Sequence, residues 1–440
     1  MTYHWKTATL ADVCIRIGDG SHYSPQSVED GLPMASVKDM TPFGINLYSC
    51  RKISSDDFEK LVRQGCQPKV GDVLIAKDGA TALDTVCEVK KPLKAVLLSS
   101  IAILRPDRDK VTTQYLRYYL DAEPTREYMK AAFTTGAAIP RVVLKDFKRA
   151  QVRYPKISLQ RKITSILSAY DDLIENNLRR IKILEEMAQT LYREWFVKFR
   201  FPGHQKVKMV DSPMGKTPEG WEIIPFSELL SSTLGGGWGS EKPSTKESHE
   251  VGVIRGTDFN VVKLGDISQL PNRYISEKSF EQRRLLAGDI LVENSINAKS
   301  RSSGNSISIT NGFLQRLGKN IIGASFCRVF RPKDLQLSHL IQVHMKYLFK
   351  EGKMAFYQNV ATNGIANFQT ARFLSQEKIA LPTQPELRKY GADMFELLNN
   401  SMLADKNYYL RQTRDLLLPK LISGELDVSE LDITIPEANA

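Results

Sequence analysis

The chain has 440 residues, 42% of them apolar and 25% charged, which suits two or three globular domains with real cores and excludes a low-complexity chain. The net charge is +11, and the last 17 residues, from Gly424 on, hold Glu425, Asp427, Glu430, Asp432 and Glu437 with no base. The body is therefore more basic than the total, and a basic body favours a polyanionic partner, most commonly nucleic acid.

The opening stretch, Met1 to Val13, lacks a basic-then-apolar signal pattern. Residues 1–154 mix short β-like runs with Gly and Asp turns. Gly71-Asp72-Val73-Leu74-Ile75 reads as a turn entering a buried strand, and Val111 to Tyr119 as a helix. The longest apolar run, Ala95 to Leu104, is too short to span a bilayer. No membrane segment is expected, and the expected location is cytoplasmic.

Residues 155–201 read as a long helix. From Ser158 to Phe199 there is no Gly or Pro. Ile163, Tyr170, Asn177, Leu184 and Leu191 fall seven apart, and Leu167, Ile174, Ile181, Ala188 and Trp195 form a companion row. Two such rows make a coiled-coil seam, in which Asn177 would favour one register. Trp195, Phe196 and Phe199 fit either a core or a partner-docking surface. Phe201-Pro202-Gly203 stops the helix, and Pro202 to Gly220 reads as a linker.

Residues 221–381 read as a second α+β domain, with Gly288-Asp289-Ile290-Leu291-Val292 as its turn and strand and Leu337 to Leu348 as its helix. A second long helix, 382–423, begins at Thr383-Gln384-Pro385-Glu386, a capping box with Pro in the first turn. Pro419 should bend or end it, and Gly424 is its C-cap. The acidic tail, 424–440, follows. At 1.5 Å per residue each helix would span roughly 60 Å, and antiparallel packing would bury both seams.

The two halves repeat. Trp5 matches Trp221; Ile53-Ser54 with Phe58 matches Ile275-Ser276 with Phe280; Gly71-Asp72 matches Gly288-Asp289. Pro155, Arg161 and Lys162 match Pro382, Arg388 and Lys389. The shared order and slowly drifting offset point to an internal repeat rather than to unrelated domains with common turns. The expected fold class is α+β, with two such domains separated by a pair of long antiparallel coiled-coil helices and related by a pseudo-twofold repeat.

Signatures of chemistry are missing. Gly215-Lys216-Thr217 lacks the earlier Gly of a phosphate loop, since Val210 stands there. The run Leu234 to Ser240 is glycine-rich without dinucleotide spacing and reads as a loop that approaches a ligand backbone, or as a flexible turn. Cys14, Cys50, Cys66, Cys87 and Cys327 form no CxxC pair, and His339 and His344 are five apart, so neither a disulfide framework nor a metal site is expected. No catalytic residue is assigned.

Three stretches carry a resemblance. Ile183-Leu-Glu-Glu-Met-Ala-Gln-Thr-Leu-Tyr-Arg-Glu-Trp-Phe-Val197 resembles the first conserved helix of Type I restriction–modification specificity subunits. Arg414-Asp-Leu-Leu-Leu-Pro-Lys-Leu-Ile-Ser-Gly-Glu-Leu-Asp-Val428 is similar to the end of their second, and Pro218-Glu219-Gly220-Trp221 to the entry of their second recognition domain. The resemblance implies two target recognition domains, each reading one half of an asymmetric bipartite site in double-stranded DNA. It implies helices that space them and dock two methyltransferase subunits, with two restriction subunits in the full complex. It implies no cofactor on this chain, with S-adenosylmethionine, ATP and Mg on the partners. The competing readings are a restriction or methylation enzyme with its own active site, and a coiled-coil scaffold without DNA specificity.

DNA reading needs polar side chains at base edges and phosphates, and polar loops near turns offer them. In the first domain they are Gly18 to His22 (Gly20, Ser21 and His22 above all), Lys38, Lys77, Asp78 and Arg141. In the second they are Ser240, Lys242, Arg255, Asn294, Ser295, Arg301 and Asn363. Each is also compatible with an ordinary solvated loop.

Overall fold

The computed structural model describes residues 5–79, 82–135, 141–297, 303–318, 320–383, 385, 393 and 401–435. The chain divides into two compact units. Unit 1 is 1–175 with 411–440, and unit 2 is 176–410.

Unit 1 is built on a four-stranded antiparallel sheet in the order Cys14–Asp19, Ile101–Pro106, Val73–Ala76, Val86–Glu88. A mixed three-stranded sheet, Arg51–Ile53, Leu32–Ala35, Val96–Leu97, stands beside it. Val73–Ala76 is apolar throughout and buried on both faces, which explains why its sequence does not alternate. The helix Thr113–Asp121 packs on this sheet and buries Tyr115, Leu116 and Leu120.

Unit 2 repeats the plan. Its four-stranded sheet runs Leu230–Gly235, Cys327–Pro332, Ile290–Glu293, Ser306–Ser308, and its three-stranded sheet Asn272–Ile275, His249–Ile254, Ile321–Gly323. The helix Leu335–Lys350 takes the place of Thr113–Asp121.

The Gly-Asp pair explains why both halves fold this way. Gly71 and Gly288 sit at φ of +87° and +93°, where a side chain would be strained. The aspartates that follow are buried. Asp72 accepts the Lys69 amide at 2.7 Å and both arms of Arg105 at 2.7 and 2.8 Å. Asp289 accepts the Leu286 amide at 2.8 Å and both arms of Arg331 at 2.8 Å. Thr113 and Ser338 then donate to the carbonyls of Gly71 and Gly288 at 3.1 and 2.7 Å. One short motif thus ties a turn, two strands and a helix together in each unit.

The first long helix is Ile157–Tyr192, followed by a π-helical turn, Arg193–Val197. The companion row, Leu167, Ile174, Ile181, Ala188 and Trp195, is buried throughout; of the first row, Ile163 and Asn177 are buried and Tyr170, Leu184 and Leu191 half-buried. In unit 1, Ile163 and Leu167 share a core with Leu418, Leu421 and Ile422. There the two helical segments run antiparallel: Asp171 accepts Arg414 at 2.6 Å, while Lys162 donates to the Ser429 and Leu431 carbonyls at 2.6 and 2.8 Å. In unit 2, Asn177 donates to Asn407 at 2.9 Å. Trp195 and Phe196 are core, packed with Phe201 and Trp221.

Two local expectations change. The stretch 202–220 is not a plain linker, because Met209–Ser212 and Gly215–Pro218 pair as a hairpin whose Thr217 is buried. Pro419 does not end its helix, which runs Ser401–Ser423. Leu421 and Ile422 are buried past the proline, and their burial offsets the missing hydrogen bond. The expected start of this helix at Thr383-Gln384-Pro385-Glu386 lies largely outside the described residues. Among the described residues no helix is long and apolar enough to cross a membrane, and no His, Cys, Asp and Glu cluster could hold a metal.

Candidate nucleic-acid interface

In unit 1, the loops at one end of the four-stranded sheet meet. Strand Cys14–Asp19 ends there, strand Val73–Ala76 ends there, and strand Ile101–Pro106 begins there. Backbone bonds lock the loops: the Ser21 amide donates to Leu97 at 2.7 Å, Lys77 to Ser100 at 2.9 Å, and Val142 to Lys77 at 2.9 Å. Unit 2 has the same lock. The Gly237 amide donates to Gly323 at 2.8 Å, Asn294 to Phe326 at 2.8 Å, and Phe368 to Asn294 at 2.7 Å. Asp78 bridges Arg141, as Ser295 bridges Asn367. The frame therefore equates Lys77 with Asn294, Asp78 with Ser295, and Arg141 with Asn367.

Glycine serves this lock. A Cβ on Gly20 would meet the Leu97 carbonyl oxygen at 2.1 Å, and one on Gly236 the Ala324 oxygen at 2.0 Å. In the run Leu234 to Ser240, Gly236 and Gly239 are required by close approach of the chain to itself, since a Cβ on Gly239 would meet the Tyr274 carbonyl oxygen at 2.5 Å.

The side chains on the two frames differ. In unit 1 they form a charged network. Lys77, 3% exposed, lies 3.3 Å from Asp19 and 3.5 Å from Asp78. Arg141, 54% exposed at its side chain, lies 3.3 Å from Asp78. The exposed His22 lies 3.2 Å from Asp19. A buried lysine between two carboxylates keeps its charge compensated and is held in place. In unit 2 the network is neutral. Ser295 donates to Asn367 at 2.7 Å, Asn294 donates to Ser295 at 3.4 Å, and Thr370 donates to Asn294 at 3.5 Å. A cavity of about 470 Å³ opens here, lined by Asn294, Arg328, Gln369, Thr370 and Arg372.

The remaining sequence candidates lie apart or are engaged. Lys38 is exposed in the short 3-10 turn Val37–Asp39. Ser240 pairs with Tyr274 through both backbone groups at 2.9 Å and donates its hydroxyl to the Lys242 carbonyl at 2.8 Å; the Lys242 side chain is exposed. Arg255 closes its guanidinium on Asp258 at 2.8 and 2.9 Å and on the Gln269 carbonyl at 3.1 Å. Hydrogen bonding to Asp258 holds its pKa above the usual arginine value. Asn363 caps its own loop by accepting the Ile365 amide at 3.1 Å. Arg301 lies outside the described residues. Asp19 falls within the stretch Gly18 to His22 offered by the sequence, whereas Asn367 was missed. Its signal was the repeat itself, since it is found by carrying Arg141 of unit 1 onto the frame of unit 2.

The family model described as Type I restriction modification DNA specificity domain matches residues 4–186. The specificity subunit of the Type I restriction enzyme MjaIX from Methanocaldococcus jannaschii is 26% identical over 343 residues, covering 74% of this chain and 71% of that one. The HindI specificity subunit from Haemophilus influenzae is 23% identical over 394 residues, covering 75% and 81%. The crystal structure of a Type I restriction–modification S subunit from M. genitalium aligns over 96% of both chains, at 14% identity and a TM-score of 0.53, and shows a shared fold.

A doubled α+β fold with a polar loop edge on each unit is the architecture that this chain shares with that solved S subunit. By sequence, the chain is similar to the specificity subunits of Type I restriction–modification systems over most of its length, and residues 4–186 match the family model.

Proposed function

We propose that this chain is a Type I restriction–modification specificity subunit that reads a bipartite target in double-stranded DNA, each α+β unit contacting one part through its locked loop edge. The observation that carries the reading is one backbone frame built twice with different side chains. An identical frame supplies the same approach to DNA, and different side chains select different bases. The target would then be asymmetric. The buried seams of the long helices support a second element: the helices fix the spacing of the two parts and dock two methyltransferase subunits, with two restriction subunits in the full complex. Reading heads held in phase with the duplex need a stiff spacer, because one turn of DNA is roughly 34–36 Å.

In this reading the chain performs no catalysis. S-adenosylmethionine, ATP and Mg belong to partner subunits, and the complex works in the cytoplasm, where the DNA is. The test is to map methylated adenines in cells that carry the partner methyltransferase with and without this chain. The expected result is a two-part motif with a fixed gap that vanishes without it. Methylation that persists unchanged would overturn the proposal. Inserting four residues beside Asn177 lengthens that helix by about 6 Å, and is expected to change the gap or abolish assembly.

A further inference from the structure

Unit 1 holds a cavity of about 550 Å³ at the sheet end opposite its reading edge. Strand Val73–Ala76 has Lys77 at one end and Gly71 at the other, and the register sets Val73 against Glu88 and Leu104. Glu88, Lys90 and Arg108 therefore line the far end, joined by Arg117 from the helix Thr113–Asp121 and Arg161 from the long helix.

The carboxylates at this cavity are largely spent. Asp171 takes Arg117 and, at 2.6 Å, Arg414. Asp172 lies 3.5 Å from Lys90. Burial pushes the Glu88 pKa up, and its carboxylate accepts Gln114 at 3.3 Å. Cationic capacity is left over. Arg117 is 5% exposed; its Nη2 makes no hydrogen bond, and the Asp121 carboxylate is 3.9 Å away. The Nε of Arg161 is buried without an acceptor. Arg108 lies over Gly71, where a Cβ would meet its Nη2 at 2.1 Å, and among the described residues it forms no hydrogen bond or ion pair.

The fold does not require these charges. Unit 2 keeps the Gly-Asp frame and the aspartate–arginine pair but sets Ser308 against Ile290 where unit 1 sets Glu88 against Val73. Leu335, not an arginine, lies over Gly288. Gln342 stands four residues past Ser338, as Arg117 stands four past Thr113. Away from the loop edge, these departures of unit 1 from the common plan all face one cavity.

We propose that this cavity binds the phosphate group of a small molecule no larger than a mononucleotide. Guanidinium forks match phosphate oxygens in pairs, the volume falls within the range of small-molecule sites, and Phe43 and Pro42 supply an apolar wall for the remainder. The site lies away from the reading edge, so it neither depends on the proposed DNA reading nor stands in for it.

The test is calorimetric titration of the full chain with inorganic phosphate, AMP and adenosine. Saturable binding of phosphate or AMP at one site per chain is expected, with adenosine silent. Phosphate alone would mark a free-anion site, and a stronger AMP signal a nucleotide site; both support the proposal. Arg108→Ala removes an exposed side chain and is expected to leave the circular dichroism spectrum intact. It is expected to weaken binding about tenfold or more, the loss of a charge-assisted pair, whereas Lys246→Ala leaves it unchanged. No saturable binding at millimolar ligand, adenosine binding as well as AMP, or an Arg108→Ala protein that binds normally would each overturn the proposal.

Discussion

Unit 1 and unit 2 solve the same structural problems with opposite chemistry. At the loop edge, unit 1 uses Asp19, Lys77, Asp78 and Arg141, while unit 2 uses Asn294, Ser295, Asn367 and Thr370. At the helical seam, unit 1 sets the buried Arg117 and Asp171 with the half-buried Arg414, while unit 2 buries Asn177 and Asn407. The backbone frame and the Gly-Asp anchor are held in common. The difference teaches that the frame belongs to the fold and that the side chains on it are free to vary, which is what a repeated recognition domain needs.

The sharpest way to break this contrast is at the seam. Asp171→Asn in unit 1 leaves the buried Arg117 and the half-buried Arg414 without their carboxylate and is expected to destabilise the fold by about 3–5 kcal/mol, read from denaturant unfolding. Burial opposes the Asp171 charge, but Arg117 and Arg414 more than offset it and hold the carboxyl below its usual pKa. A lowered folded pKa contributes stability that is complete above the unfolded value of about 4 and lost as pH falls through the folded one. The gap between wild type and Asp171→Asn should therefore close as pH drops below about 4. A gap that stayed constant down to strong acid would show that the charge is not what stabilises the seam.

The shared anchor gives the next effect. Asp72→Asn and Asp289→Asn each remove one buried carboxylate from an arginine fork, and each should cost about 2–3 kcal/mol. The arginines are about a quarter exposed, so solvent softens the loss. Near-equal losses would mark the motif as common scaffolding; a large loss in one unit alone would break the equivalence.

The neutral seam gives the smallest effect. Asn407→Leu strands the buried Asn177 amide and should cost about 1–3 kcal/mol. The double variant Asn177→Leu with Asn407→Leu should recover most of that loss, because a paired buried amide sets register rather than adding stability. Failure of the double variant to recover would give the pair a stabilising role.

How much of this was legible in the sequence follows the length scale of each cause. The heptad rows and the Gly-Asp repeats are local patterns, and they located the long helix and both anchor turns. The arginines that complete the anchors were invisible, because Arg105 and Arg331 lie 33 and 42 residues from their aspartates. Lys77 reads as a loop cation but is buried between two carboxylates, one of them Asp19, far away in sequence. Arg255 reads as a free reading residue, yet the Arg-x-x-Asp spacing that closes it on Asp258 was present in the sequence. Gly236 and Gly239 show the same limit: their causes are the carbonyls of Ala324 and Tyr274, far on in the chain.

The most direct measurement is methylation-site sequencing in cells that carry the partner methyltransferase with either Arg141→Ala or Asn367→Ala in this chain. These residues hold one position on the two frames. Arg141→Ala is predicted to relax base preference in one part of the target and Asn367→Ala in the other, with the gap unchanged. Methylation that stays efficient while both variants alter the same part, or neither alters any, would contradict the account.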